Sequence, residues 1–340
     1  SIQKPTTTIY TDVMGNRTRS RQKMIYNIMR KYFLISIVTI VGLLFFVSSF
    51  QLNTKKEKPK ISFSFDDGSV RDFEKYPNVV WNQMLLDNLK KNKLRSILYV
   101  KGKGLDNKKG KKIIESWNNY GNLIGNHTYN HLSFNREDVS LDTFKKELLK
   151  DDSLISTYSN YTKLFRFPYL SEGNTIEKRD GFREFLQEND YKTGHVTIDA
   201  SDWYIDSRLT KRLKEDSRAD ISGFKEFYIK HLFGRAKYYD SLGIELTGRQ
   251  VNHTLLLHHN LSAALFLDDL IKHFEKNGWE IVDVDTAYQD EIYTIAPQII
   301  PAGGSLIWAL AKQEGTYEAV LRYPAEDSRY EKVAMDSLGL

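Results

Sequence analysis

From residue 61 onward, short apolar runs alternate with longer segments in which apolar residues recur every three or four positions. Because strands repeat every two residues and helices every 3.6, this alternation predicts βα units in a parallel sheet or barrel. The run at 255–257 is apolar at consecutive positions, as expected for a strand covered on both faces. The predicted strands are 61–65, 96–100, 122–126, 163–167, 193–198, 253–258 and 279–284. The predicted helices are 79–91, 108–120, 141–158 and 265–277.

Two regions depart from this alternation. Residues 205–250 form a long insertion with a predicted helix over 222–242, and its aromatic side chains either form a lid or groove wall or pack in the core. Residues 289–340 form a C-terminal extension that keeps apolar residues such as Ile307 and Trp308. Because apolar side chains of this size favour burial, we expect the extension to pack on the main domain.

An uncharged apolar run occupies residues 33–50, after a basic stretch and before a Lys-rich linker at 51–60. This pattern predicts either a single membrane span or the apolar part of a cleaved export signal. The basic N-terminal flank predicts that everything after the run faces outward, so the main domain is anchored outside the cytoplasm or is secreted or periplasmic. Residues 1–32 are then a cytoplasmic tail, or partly untranslated if translation starts at Met24.

Composition narrows the range of chemistry. The 340 residues include 41% hydrophobic and 27% charged residues, which is typical of a globular protein large enough for a full core. The chain has no cysteine, so disulfides, thiolate nucleophiles and Cys-ligated zinc are excluded. A net charge of +5 is too modest and diffuse to predict nucleic-acid binding.

Residue types used in catalysis recur where the predicted strands end. Asp66 and Asp67 follow the first strand, with Gly68 next, and His127 and His131 follow the third. Histidines four apart lie on one face of a helix or tight loop, so both imidazoles can bind one metal ion. Two histidines and one carboxylate leave positions open for water and substrate, which is typical of catalytic sites. Taken singly, an Asp-Asp-Gly turn and two surface histidines would be ordinary features.

Three more strands end in the same way. Arg166 ends the fourth, Asp199, Asp202 and Trp203 follow the fifth, and His258 ends the sixth. Alone, a histidine ending an apolar strand is often a hydrogen-bonded core residue. Because the C-terminal ends of parallel strands form the active sites of α/β folds, we expect these side chains to meet.

Five short motifs in a fixed order carry a family resemblance. They read SFDDG at 64–68, HTYNH at 127–131, RFPY at 166–169, DASDW at 199–203 and LLLH at 255–258. This series resembles the polysaccharide deacetylase family, the NodB-homology domain of carbohydrate esterase family 4. The resemblance implies an α/β fold, a distorted (β/α)7 barrel, over a domain that we place at residues 61–288.

The resemblance also implies a set of roles for the first three motifs. Asp67, His127 and His131 would bind a divalent metal ion, zinc in the first place and cobalt or nickel as alternatives. Asp66 would be the general base that takes a proton from water. Arg166 would hold Asp66 charged and oriented.

The last two motifs and the final residue of the third take the remaining roles. His258 would be the general acid that protonates the leaving amine, and Asp202 would keep it protonated. The backbone N–H of Tyr169 would stabilise the oxyanion. Trp203, Leu256 and the Tyr169 side chain would line the substrate groove.

The chain departs from the family pattern in two places. The stretch between Asp202 and His258 is longer than in a minimal domain. The last motif reads His258-His259-Asn260, so His259 is a rival for the role of the acid.

The implied activity is removal of N-acetyl groups from an N-acetylglucosamine-containing polysaccharide, either peptidoglycan or chitin-like. One alternative is deacetylation of acetylated xylan or of a small N-acyl compound. Another is a non-catalytic carbohydrate-binding module, although every residue type needed for catalysis is present. The predicted partners are an N-acetylated glycan and, if residues 33–50 are not cleaved, a membrane.

Overall fold

The computed structural model describes residues 57–323 and 328–340, together with 23–24, 26, 29–33 and 36. The predicted apolar segment at 33–50 lies almost entirely outside these residues, and so does the choice between anchor and signal. Among the described helices, none combines the length and apolar character needed to span a membrane. The chain divides into two compact units, 1–57 and 58–340, and the second contains all five motifs.

The second unit alternates strands and helices along most of its length. Its strands are β1 (Lys60–Asp67), β2 (Ile97–Val100), β3 (Leu123–Asn126), β4 (Tyr161–Phe165), β5 (Ser171–Gly173), β6 (Lys192–Thr193), β7 (Asn252–His258), β8 (Glu280–Ile281) and β9 (Ala302–Gly303). Its helices are α1 (Asn78–Lys91), α2 (Gly102–Leu105), α3 (Lys108–Asn119), α4 (Leu141–Ile155), α5 (Ile176–Glu188), α6 (Asp202–Glu215), α7 (Ser222–Thr247), α8 (Leu261–Lys276), α9 (Val284–Ala287), α10 (Leu306–Glu314) and α11 (Arg329–Ser337). Short 3₁₀ helices lie at Pro168–Leu170 and Glu291–Thr294.

The predicted parallel sheet is confirmed. Seven strands form it in the order β6-β4-β3-β2-β1-β7, with β8 beside the start of β1, and every pairing is parallel. β7 pairs with β1 along nearly its whole length, so the two strands end together at Asp66 and His258. This register brings the first and last motifs to the same edge of the sheet.

The sheet curls back on itself through residues 192–198. β6 pairs with β4 at one end of this segment, and Ile198 forms a parallel bridge to Leu255 of β7 at the other. The predicted strand at 193–198 is therefore wrong beyond Thr193, because regular strand conformation ends there and the chain bends at Thr197. Gly194 is closely packed: a Cβ on it would lie 2.0 Å from the Tyr99 hydroxyl, and its carbonyl accepts a hydrogen bond from Arg166.

The insertion contributes to the core. α7 packs against α8 and α10, and its side chains Phe224, Tyr228 and Tyr239 are buried. None of these three rings lines the pocket at the strand ends that contains Asp66 and His258. These three rings therefore pack in the core. The rings of a lid would face the pocket instead.

The C-terminal extension also packs on the domain. β9 pairs with β5 in a small antiparallel sheet, and Ile307 of α10 is fully buried. Met335 of α11 is buried as well, and Arg208 of α6 forms an ion pair with Asp336 at 2.7 Å. The extension is thus part of the same hydrophobic core as the sheet.

Candidate active site

Asp66 and Asp67 are the last two residues of β1, and because Asp67 has a φ of +77°, the usual strand alternation ends there and both carboxylates line one pocket. Asp66 is buried, and Arg166 Nη1 donates hydrogen bonds to its two oxygens at 2.9 and 3.1 Å. Arg166 follows β4 and is itself buried, with its guanidinium 4.3 Å above the Tyr99 ring. Burial raises the pKa of Asp66, and Arg166 offsets part of this effect. The result is a fixed carboxylate with a higher proton affinity than an exposed one.

Asp67 meets the two histidines of the second motif. The ligand atoms of Asp67, His127 and His131 all lie within 4.8 Å of one another. Asp67 Oδ1 is 3.4 Å from His131 Nε2 and 3.9 Å from His127 Nε2. The histidines lie on a loop rather than on a helix, since Thr128 and His131 have φ values of +62° and +60°. This loop places the two ring centroids 4.8 Å apart.

The protonation of these three residues suits a divalent cation. His127 Nδ1 donates to the carbonyl of Arg166 at 2.8 Å, which leaves the Nε2 lone pair facing Asp67. Burial lowers the pKa of both His127 and His131 to about 3, so both rings are neutral. Asp67 Oδ1 is buried and accepts no hydrogen bond from the residues that the structure describes. Lys101 Nζ lies 3.1 Å from it and forms an ion pair with it. One carboxylate oxygen and two imidazole nitrogens form a suitable donor set for zinc.

His258 and Asp202 form a second charged pair at the same edge. His258 Nδ1 donates to Asp202 Oδ1 at 2.6 Å, and the His258 backbone N–H donates to Asp202 Oδ2 at 2.9 Å. Burial alone would lower the pKa of His258, but the Asp202 carboxylate outweighs it and raises the pKa to about 10. His258 is therefore protonated at neutral pH, with Nε2 free of this pair.

His259 has a different environment. Its Nδ1 accepts from the Ser69 backbone N–H at 2.9 Å, and its Nε2 donates to Asn82 Oδ1 at 2.9 Å. The ring packs between Trp81 and Trp117, and burial lowers its pKa to about 3. Of the two rivals, His258 thus faces the pocket and His259 is held in the core.

A pocket of about 480 Å³ joins these groups. It is lined by Asp66, Asp67, Lys101, His127, His131, Tyr169, Leu170, Asp199, Trp203, Leu256 and His258. Tyr169 and Trp203 are 63% and 41% exposed, so their rings stand at the mouth, whereas Leu256 is buried at the base. The structure therefore brings together all the residues to which the sequence assigned a role, with Arg166 and Asp202 directly behind the lining.

Comparison with known proteins finds similarity to one family. The sequence profile described as polysaccharide deacetylase matches residues 53–185, which include the first three motifs. This part of the chain is therefore similar to the polysaccharide deacetylase family. Residues of all five motifs meet in one pocket.

The chain is 25% identical over 147 residues to the peptidoglycan-N-acetylglucosamine deacetylase of Bacillus cereus. The match covers 43% of this chain and 47% of the relative, so it spans about half the length of that protein. Among solved structures, it is similar to a peptidoglycan deacetylase from Bacillus subtilis, with 21% identity, coverage of 68% and 91% of the two chains and a TM-score of 0.46. A family 4 carbohydrate esterase pseudoenzyme from Bacillus anthracis shows 15% identity, coverage of 68% and 66% and a TM-score of 0.46.

Sequence reasoning missed three residues of this site. Lys101 follows β2 directly, so the same strand-end argument would have found it. Tyr99 lies under the Arg166 guanidinium, and its hydroxyl is 2.9 Å from that of Tyr288. Tyr288 Oη also lies 3.4 Å from Arg166 Nη2 and comes from the end of α9, where the sequence holds no signal for it.

Proposed function

We propose that the chain is a metal-dependent hydrolase that removes N-acetyl groups from an N-acetylglucosamine polymer, peptidoglycan in the first place and a chitin-like glycan in the second. One observation carries the proposal: the Asp67, His127 and His131 donors share one pocket with an oriented carboxylate, Asp66, and a protonated histidine, His258. The name of the Bacillus cereus relative supports peptidoglycan as the substrate. We also propose that the curled sheet is the distorted (β/α)7 barrel of the NodB type, and that an anchored or exported location brings it to its polymer.

The metal would be held by Asp67, His127 and His131, with zinc the first choice and cobalt or nickel the alternatives. When bound, such an ion polarises the acetyl carbonyl and lowers the pKa of water from about 15.7 to about 7. The three donors fit it because their ligand atoms all lie within 4.8 Å of one another.

Asp66 would act as the general base. It lies at the pocket lining, and Arg166 fixes both of its oxygens, so its orientation is set before substrate binds. As the oxygen of water forms a bond to the acetyl carbon, Asp66 takes the proton that the water loses. Its raised pKa increases its proton affinity for this step.

His258 would act as the general acid. Its Nδ1 is committed to Asp202, so the proton on Nε2 is the one available to the pocket. When the carbon–nitrogen bond breaks, that proton passes to the amine nitrogen, which is a poor leaving group without it. The products are acetate and the free amine of the sugar.

The remaining lining would bind and orient the substrate. The backbone N–H of Tyr169 would donate to the developing oxyanion, where a lost donor costs about 3–4 kcal/mol. Leu256 offers an apolar base for the acetyl methyl group, and the Trp203 ring offers a flat surface for a sugar.

An assay of acetate release distinguishes the alternatives. The detergent-solubilised full chain would be incubated with peptidoglycan, chitooligosaccharides and acetylxylan, with Asp66→Asn as the inactive control. We expect release from peptidoglycan or chitooligosaccharide, and a loss of at least about a hundredfold in Asp66→Asn. Release from acetylxylan alone would make the chain an O-deacetylase, and glycan binding without any release would make it a binding module.

A further inference from the structure

The turn at the end of the third motif has two residues with left-handed backbone conformations. Tyr169 and Leu170, in the 3₁₀ segment Pro168–Leu170, have φ values of +56° and +50°. Side-chain-bearing residues in this left-handed region carry about 1 kcal/mol or more of strain each and persist only where neighbours impose the conformation. Both residues line the pocket, so a neighbouring part of the chain must hold this turn at the site.

The neighbour is the C-terminal extension. The backbone N–H of Gly304 donates to the carbonyl of Leu170 at 2.9 Å, and Gly303 pairs with Ser171 in the β5–β9 ladder. Two residues later, the Leu306 N–H donates to the Val196 carbonyl at 2.7 Å. The extension thus connects the strained turn to the segment that closes the sheet.

Contact at this point is close enough to exclude any side chain. Gly303 has φ of +133°, and a Cβ on it would lie 2.0 Å from the carbonyl oxygen of Leu170. Real Cβ atoms do not approach a backbone oxygen so closely, so another residue here would displace the turn.

Arginine side chains of α5 fix the extension before it reaches the turn. Arg179 Nη1 donates to the carbonyl of Gln298 at 2.7 Å, and Arg183 Nη2 donates to the carbonyl of Pro297 at 2.9 Å. Arg183 also forms an ion pair with Glu172 of β5 at 3.1 Å. Residues 297–306, which we call the C-terminal strap, are therefore held at both ends.

We propose that the C-terminal strap is a positioning element of the active site, whose main chain holds the Tyr169–Leu170 turn in the conformation that directs the Tyr169 N–H into the pocket. This inference rests on the proposed function. The strap lies well beyond residue 185, where the match to the family profile ends. The catalytic unit of this chain then extends past the predicted domain end at 288, at least to Leu306.

Gly303→Ala tests the proposal, with Gly315→Ala as the matched control. Gly315, at the end of α10, also has a positive φ, +72°, but no atom of the residues that the structure describes lies within 4 Å of the point that its Cβ would occupy. Both variants carry backbone strain, so both lose stability. We expect kcat of Gly303→Ala to fall at least about tenfold, as for loss of an oxyanion donor, with KM within about twofold. Gly315→Ala keeps the wild-type kcat.

Amide hydrogen exchange gives a readout that does not depend on activity. In Gly303→Ala, exchange should rise in the peptide that contains Tyr169 and Leu170 and stay unchanged in the His127–His131 loop. If exchange in this peptide does not rise, the strap does not hold the turn. If exchange rises while kcat stays at the wild-type value, the strap holds the turn but does not position a group that catalysis needs. Either result overturns the proposal. If the wild-type chain releases no acetate, the proposed function fails, whereas the exchange comparison still tests the strap.

Arg183→Met provides a milder perturbation should Gly303→Ala fail to fold. It removes the hydrogen bond to Pro297 and the ion pair to Glu172, and it keeps an unbranched stem. We expect kcat to fall about threefold with unchanged KM, with partial recovery in Arg183→Lys. Arg136→Met, which breaks the exposed pair with Asp138, is the control and should leave kcat unchanged. Equal kcat values for Arg183→Met and Arg136→Met would overturn the proposal.

Discussion

His258 and His259 are adjacent at the end of β7, and their surroundings shift their pKa values in opposite directions. The Asp202 carboxylate keeps the first ring protonated, whereas the second ring is buried among tryptophans and shares two neutral hydrogen bonds. The sequence predicts the acid only as one of two candidates. The choice depends on which ring meets Asp202, and this contact joins the end of β7 to the start of α6, 56 residues away in the sequence.

The pH dependence of activity should report the His258–Asp202 pair. The acid form of His258 is required, and its pKa is raised to about 10, so activity should fall as pH rises through that value. Asp202→Asn removes the group that raises the pKa, so the alkaline limb should move to lower pH. Profiles of kcat/KM against pH for both proteins measure this, and superimposable alkaline limbs would rule out His258 as the acid.

Replacing each histidine should separate a catalytic role from a structural one. His258→Ala should reduce kcat by about 10²–10⁴-fold. It should also lower the unfolding free energy, because it leaves the buried Asp202 carboxylate without its charged partner. His259→Ala should lower the unfolding free energy by about 2–4 kcal/mol, because it removes two buried hydrogen bonds and leaves a cavity between Trp81 and Trp117. Acetate release measures kcat of each variant, and urea unfolding measures its unfolding free energy. A large loss of kcat in a folded His259→Ala, with none in His258→Ala, would make His259 the acid.

At the scale of elements, the hydrophobic pattern alone does not show where every helix begins, because a capping side chain can start a helix before its first apolar repeat. α8 begins at Leu261 rather than at the predicted 265, because Asn260 Oδ1 accepts from the Ala263 N–H at 2.8 Å and caps the helix. The prediction missed α5, where charged residues dilute the apolar positions. That helix nevertheless buries Phe182 in an aromatic cluster next to the third motif.

Phe182→Ala should destabilise the part of the chain that carries Arg166. The Phe182 ring lies 4.8 Å from Phe144 and 5.2 Å from Phe165, the last residue of β4. Truncation should lower the unfolding free energy by about 3–5 kcal/mol, and Phe182→Leu should cost less because it leaves a smaller cavity. Chemical denaturation measures both variants, and a loss below about 1 kcal/mol in Phe182→Ala would show that the cluster contributes little.

At the scale of the whole molecule, motif order and strand alternation predict the parallel sheet and the edge at which the site lies. They do not predict the path of residues 194–198, which involves contacts between residues far apart in the sequence, such as the hydrogen bond from Arg166 to the Gly194 carbonyl and the bridge between Ile198 and Leu255. The hydrophobic pattern does not predict the pairing of β9 with β5 either, because these strands are only two and three residues long. Long-range contacts of this kind complete a site whose chemistry the motifs already indicate.

Metal binding should stabilise the folded chain, because a ligand that binds only the native state adds RT ln(1 + [L]/Kd), or about 2.7 kcal/mol at a hundredfold excess over Kd. Zinc should therefore raise the melting temperature of the chelator-treated protein. His131→Ala should remove this increase, since it deletes one of the three donors. Asn135 lies on the same loop but is not one of the three donors, so zinc should still raise the melting temperature of Asn135→Ala. Loss of this increase in both variants would indicate that the substitutions damage the loop.

The most direct test of the central claim combines metal titration with acetate release. The EDTA-treated chain would be titrated with zinc by calorimetry while acetate release from peptidoglycan is followed. We expect that one ion binds per chain, that activity returns in proportion, and that His127→Ala and His131→Ala lose both. Acetate release that persists after complete chelation, or a His131→Ala variant that binds zinc as tightly as the wild type, would contradict the claim.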